Sequence, residues 1–158
     1  MLMSALPGAL VLASLVGCSA GPVEVASPEL SADDQAACTA LLDSLPATLA
    51  GLESHEITPA DAPAAAWGDD GLTLSCGVGV PDDFDEFSRC DQILGVGWFF
   101  PEAEYKDESR TLTATAVGYR PRISLTVPAD YRGNVSLDAF STLAPLVQAH
   151  LDLVQRCR

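Results

Sequence analysis

Two runs of strict alternation constrain the fold of this 158-residue chain more than any other feature. Leu112, Ala114 and Ala116 are interleaved with Thr111, Thr113 and Thr115, and Ile123, Leu125 and Val127 with Arg122, Ser124 and Thr126. A period of two sends successive side chains to opposite faces of a strand, so each run has one apolar and one polar face. With Gly118 to Pro121 between them, the runs predict an antiparallel hairpin whose apolar face must be covered by something else. Leu72, Leu74, Cys76 and Val78 alternate in the same way, and Val96, Trp98 and Phe100 share one side of a run that starts near Gln92.

Two segments are available as cover. Ser31 with Asp34 makes a capping-box-like start, after which Cys38, Leu41, Leu42 and Leu45 recur at helical spacing up to Pro46. Near the end, Ser136 is the expected N-cap, and Leu143, Leu146, Val147, His150, Val154 and Cys157 share one helical face. Pro145 predicts a kink there, or a short helix leading into a longer one. The expected fold is α+β, an antiparallel sheet of about four strands with an N-terminal and a C-terminal helix packed on one face. Residues 31–158 form one globular domain in this reading, and the Thr-rich and Ser-rich sheet face is open to solvent or to a partner.

The first 30 residues differ in kind. Ala5 to Gly17 is almost wholly apolar, the length of a signal-peptide core and short of the roughly 20 residues that cross a bilayer. Leu15-Val16-Gly17-Cys18 looks like a bacterial lipobox, in which the peptide is cut before the cysteine and its thiol receives a diacylglycerol. Acyl chains such as palmitate contribute about 0.8 kcal/mol per buried methylene, so attachment through two or three of them is effectively permanent. The expectation is a signal peptide over residues 1–17, lipid attachment at Cys18 and a lipid-anchored tether over 18–30, small and proline-bearing. Residues 1–17 lack Lys and Arg, a departure from the basic start of export signals that predicts further leader upstream or a weak signal. An ordinary cleaved signal, with Cys18 there by chance, is the alternative.

Charge and cysteines agree with export. Twenty-two acidic residues stand against eight basic ones, a formal net charge of -14. Such a surface repels phosphate backbones and anionic headgroups, which argues against nucleic-acid partners and leaves a lipid anchor as the route to a membrane. Lys106 is the only lysine and alanine is abundant, a bias of high-GC genomes. Cys38, Cys76, Cys90 and Cys157 make an even set that an oxidising compartment would pair. Of the three pairings, the local patterns favour Cys76 with Cys90, closing the acidic connection Pro81-Asp82-Asp83-Phe84-Asp85-Glu86. Cys38 with Cys157 would then tie the first helix to the last. Without a CxxC or HxxxH pair, zinc is disfavoured and no cofactor is implied.

Catalytic chemistry has little to rest on. No GxSxG, SxxK or HExxH occurs, and His150 on an apolar helix face reads as a core residue. His55, between Ser54 and Glu56, reads as an exposed loop residue. Asp82, Asp83, Asp85 and Glu86 are calcium-type oxygen ligands, yet they lack the glycine and distal glutamate of an EF-hand loop. Asp69 and Asp70 read as a turn, and Asn134-Val135-Ser136 as a helix start. Trp98-Phe99-Phe100 puts rings on both faces of one strand; with Trp98 and Phe100 in the core, Phe99 is the contact left for a partner, beside Thr113 and Arg122.

The order of several blocks resembles a known family. They are Gly17-Cys18, Cys38 with Leu45-Pro46, Ala64-Ala65-Ala66-Trp67-Gly68-Asp69, Leu74-Ser75-Cys76-Gly77-Val78, Cys90 shortly before Gly95-Val96-Gly97-Trp98-Phe99, and Ile123-Ser124-Leu125-Thr126-Val127-Pro128-Ala129. Together they resemble the actinobacterial domain-of-unknown-function family 3515 over nearly the whole mature chain. The resemblance implies an exported or lipid-anchored envelope protein with paired cysteines, and carries over no catalytic residue. The expectation is a lipid-anchored protein on the extracytoplasmic face of an actinobacterial cell membrane, a non-catalytic binding or accessory module for an envelope protein or cell-wall component. A small envelope enzyme is the alternative. About 130 residues of domain is too little chain for the two lobes of a transport-type solute-binding protein.

Overall fold

In the computed structural model, which describes residues 21–157, the alternating hairpin lies inside an eight-stranded sheet. Its strands are β9 (Leu112–Thr115) and β11 (Ile123–Val127), paired antiparallel with Leu125 opposite Ala114 and Ser124 opposite Thr115. On its other side β11 pairs with β6 (Leu72–Cys76), followed outward by β5 (Ala64–Trp67), β3 (Leu52–His55) and β2 (Thr48–Leu49). Beyond β9 come β8 (Val96–Phe99) and, at the opposite edge, β7 (Cys90–Ile93). Neighbouring strands are antiparallel throughout this sheet.

The α+β class stands, but the expected four strands are too few. Ala64–Trp67 has no apolar alternation and no β-branched residue; it is a strand because β3 and β6 pair with it on both sides. The run from Gln92 to Phe100 is two strands. Leu94 and Gly95, with φ of 46° and 87°, form a two-residue turn that folds β7 onto β8 with Ile93 opposite Val96.

Two long helices cover the apolar face, as expected. Helix α1 (Ala32–Asp43) starts at Ser31, whose hydroxyl accepts the Asp34 N–H at 3.2 Å and donates to the Asp34 carboxylate at 3.0 Å. It contributes Cys38 and Leu41 to a core shared with Leu72, Leu74, Ile123 and Leu125. A one-turn helix, α2 (Glu102–Tyr105), follows β8. Helix α3 (Asn134–His150) adds Ala139, Phe140, Leu143, Ala144 and Val147. Both tryptophans are buried there: Trp67 donates its indole N–H to the Pro46 carbonyl at 3.1 Å, and Trp98 meets Phe140 edge-on at 4.9 Å between centroids.

Helix α3 departs from expectation at both ends and in its middle. It begins at Asn134 after Gly133, whose φ of 87° only glycine adopts readily, and Ser136 donates to the Gly133 carbonyl instead of capping. It runs unbroken through Pro145. It stops at His150, which is half-buried, so Val154 and Cys157 leave the helical face assigned to them. The chain turns extended at Leu151, and β12 (Asp152–Leu153) pairs with β10 (Tyr119–Arg120). The Val154 and Gln155 amides both donate to the Gly118 carbonyl.

The described part of the expected tether, residues 21–30, is bound to the domain. Within it β1 (Val23–Glu24) pairs in parallel with β4 (Ile57–Thr58); Val23 N–H donates to Glu56 at 2.8 Å and Val25 N–H to Thr58 at 3.0 Å. Leu30 packs against the core. Two valines with free amides, facing a strand with open carbonyls, make a strap where small residues and prolines suggested a free linker. Cys18 and residues 1–20 lie outside the described residues, as do the lipobox and signal-peptide readings.

The disulfide pairing is also corrected. Cys38 bonds Cys76, with Cα atoms 5.8 Å apart, and Cys90 bonds Cys157 at 5.6 Å. Cys76–Cys90 is ruled out by topology, since β11, β9 and β8 separate β6 from β7. Four steps of about 4.8 Å put those strands about 19 Å apart. Face rules it out as well: Cys76 points with Leu74 toward α1, whereas Cys90 lies opposite Phe99 on the other side of the sheet.

Candidate functional site

The polar sheet face carries the residues singled out for partner contact, and strand register arranges them in rows. Ser75, Ser124, Thr115 and Phe99 lie side by side across four strands, and Thr73, Thr126 and Thr113 form the next row. Cross-strand neighbours on one face stand about 5 Å apart, so six hydroxyls make a contiguous array. The array is not open, because segments that look like loops in the sequence fold over it. Thr73, Thr115 and Ser124 are all buried.

One end is roofed by the strap. Val23, Glu24, Val25 and Ala26 border a cleft of about 380 Å³ with Thr73, Ser75 and Thr126. The middle narrows to a cleft of about 220 Å³ between Thr113, Thr115 and Ser124 and the chain from Val78 to Pro81.

The other end holds Phe99, which is 6 % exposed and is therefore not the exposed contact expected of it. Phe84 meets it edge-on at 5.1 Å and 76°, and Cys90, Val117 and Cys157 complete a small second core. The acidic loop puts Phe84 down on this face, and the C-terminal tail is bonded beside it. The available signal was Phe84 itself, an apolar ring inside a run of four carboxylates.

Thr113 and Arg122 share the polar face but not one contact surface. Thr113 is half-buried, and its backbone N–H donates to the Glu104 carboxylate at 2.7 Å. Arg122 is half-buried too, with Nη1 donating to the Val78 carbonyl at 3.5 Å. Its Nε is buried without a partner among the described residues. Burial, and secondarily the charge of Arg120, hold the guanidinium below its ordinary pKa. Arg122 lies four residue steps from Thr126, the neighbour of Thr113, or about 13 Å along the strand.

The histidines do not form a catalytic pair with each other. His55 lies on β3 with Nδ1 4.0 Å from the Asp69 carboxylate, in the turn between β5 and β6. Its Nε2 is 3.0 Å from the Gly21 carbonyl. At 4.0 Å the carboxylate is too far to hydrogen-bond and orient the imidazole as a general base requires, and the other ring nitrogen is engaged by the strap. His150 sits at the C-terminus of α3.

In the acidic loop, Asp85 closes a local turn. Its carboxylate accepts the Phe87 N–H and the Ser88 hydroxyl, both at 2.9 Å. The Ser88 bond first, then the Phe87 amide, hold its pKa below the ordinary carboxylate value. Among the described residues, no three His, Cys, Asp or Glu side chains converge as a metal site.

Comparison with known proteins gives a family without an activity. No curated protein and no solved structure matches the chain. The family described as protein of unknown function (DUF3515) matches residues 2–155, which takes in the strap, the Cys38–Cys76 disulfide and the whole eight-stranded sheet and ends two residues before Cys157. The chain belongs to the DUF3515 family.

Proposed function

We propose that the protein is a lipid-anchored extracytoplasmic module of the actinobacterial cell envelope that acts by binding rather than by catalysis. The observation that carries this reading is cysteine use. Cys38, Cys76, Cys90 and Cys157 are consumed in two disulfides, which leaves Cys18 as the fifth cysteine, at the end of an apolar leader. Disulfides persist in oxidising compartments. A fifth cysteine following Leu15-Val16-Gly17 has a use if it carries lipid. The rival reading, a small envelope enzyme, rests on His55 and Asp69. It is the weaker one because the Gly21 carbonyl engages Nε2 and no nucleophile is hydrogen-bonded to the imidazole among the described residues.

Replacing Cys18 by Ser tests the anchor. In an actinobacterial host the parent should fractionate with the membrane and partition into detergent, and Cys18→Ser should do neither. A variant held in the membrane as firmly as the parent overturns the proposal.

A further inference from the structure

A groove of about 820 Å³ runs between the acidic loop and the C-terminal tail, at the end of the molecule remote from the strap. Asp85 and Glu86 stand on one wall, Leu153 and Arg156 on the other, and Gly95 and Gly97 leave part of its surface without side chains. Large apolar groups flank it and face solvent. Phe87, between lining residues Glu86 and Ser88, is 82 % exposed; Leu94, beside Gly95, is 66 %, and Val154, beside Leu153, is 58 %. Scattered exposed apolar residues are ordinary, but a cluster at the rim of a groove marks an interaction surface.

Charge narrows the choice of occupant. Segments 81–91 and 152–157 carry six carboxylates, Asp82, Asp83, Asp85, Glu86, Asp91 and Asp152, against two guanidiniums, Arg89 and Arg156. None of these groups is in an ion pair among the described residues. A nucleic acid or an anionic lipid would meet a repulsive wall there.

Backbone supplies the third element, since β7 ends the sheet on this side. In a hairpin with a two-residue turn, hydrogen-bonded pairs alternate outward from the pair beside the turn, here Ile93 and Val96. Cys90 and Gln92 therefore direct their backbone N–H and C=O away from β8.

We propose that this groove is the docking site for an extended, basic segment of a partner protein. The segment adds a strand to β7, sets Lys or Arg side chains against the acidic loop, and rests its alternate apolar side chains on Phe87 and Leu153. The inference deepens the binding reading and is independent of the anchor at Cys18.

The probe is a fluorescent, end-blocked octapeptide of alternating Lys and Val, titrated by anisotropy against the intact protein in detergent micelles. Saturable binding that weakens with salt is expected, with no binding of the matching Glu-Val peptide. Asp83→Asn with Glu86→Gln should weaken it about tenfold, as loss of paired interfacial charges does. Phe87→Ala should weaken it separately, and a Lys-Val peptide N-methylated at alternate residues should not bind. Glu29→Gln with Asp33→Asn removes the same charge near α1 and should leave the affinity unchanged. Absence of saturable binding, or equal loss in the two charge variants, overturns the proposal. Because the assay does not depend on lipid at Cys18, its failure and failure of the anchor are separate results.

Discussion

Each face of the sheet is fastened by its own disulfide, and the two bonds hold very different structures. On the helix side, Cys38–Cys76 ties α1 into a continuous core in which both sulfur-bearing residues are at most 1 % exposed. Helix α1 buries only Cys38 and Leu41 of its own residues, so the bond supplies much of its attachment. On the polar side, Cys90–Cys157 pins a short tail over three buried residues, and Cys157 itself is half-buried. One bond is part of the core, while the other clamps a cover onto a surface.

Unfolding experiments can break this contrast. In the loop-entropy account, closures of 38 and 67 residues each stabilise by about 4 kcal/mol, slightly more for the longer. Packing predicts the opposite ranking. Cys38→Ala with Cys76→Ala should lower global stability by about 4 kcal/mol or more in denaturant titration, because α1 loses its hold on the core. Cys90→Ala with Cys157→Ala should cost less globally. Its main effect should be fast amide exchange at Val154 and Gln155, as the tail leaves Gly118 while the sheet stays folded. Equal losses in the two double variants would show that the tail unfolds only with the whole domain.

The smallest predicted effect concerns the loop that shares the polar face with the tail. Hydrogen bonds from Ser88 and Phe87 set the Asp85 carboxyl below its ordinary value of 3.8. A depressed folded value means that the turn is favoured above the unfolded value and lost as pH falls through the folded one. The Phe87 and Ser88 amide resonances should therefore titrate with a midpoint below 3.8. A midpoint at or above 3.8 would show that the turn, and with it the groove wall, is not held by this carboxylate.

The same contrast explains what the sequence disclosed. The core side was legible because alternation in Leu72 to Cys76, Leu112 to Ala116 and Ile123 to Val127, and helical spacing in Cys38, Leu41 and Leu45, are local patterns. The polar side was not, because what covers it comes from elsewhere in the chain. Nothing near Phe99 announces Phe84 or Cys157, and nothing in Ala64–Trp67 announces a strand until β3 and β6 are in place. The cysteine pairing failed for the same reason: closeness in sequence favoured Cys76 with Cys90, and the intervening strands come from residues after both. Of the candidate contacts, Thr113 and Arg122 were placed on the correct face, while the cover over that face was missed.

The strap has a consequence for how the molecule would stand on a membrane. Only Ser19 and Ala20 lie between Cys18 and Gly21, where contact with His55 begins. That is about 10 Å of chain at full extension. At physiological ionic strength, charge is felt over about 8 Å. A lipid on Cys18 would thus bring Glu24, Glu53 and Glu56 to the margin of the headgroup field, where an anionic leaflet would repel them. Six strand spacings, about 29 Å, separate β3 from β7. The domain would stand on end, with the groove beside β7 turned away from the lipid.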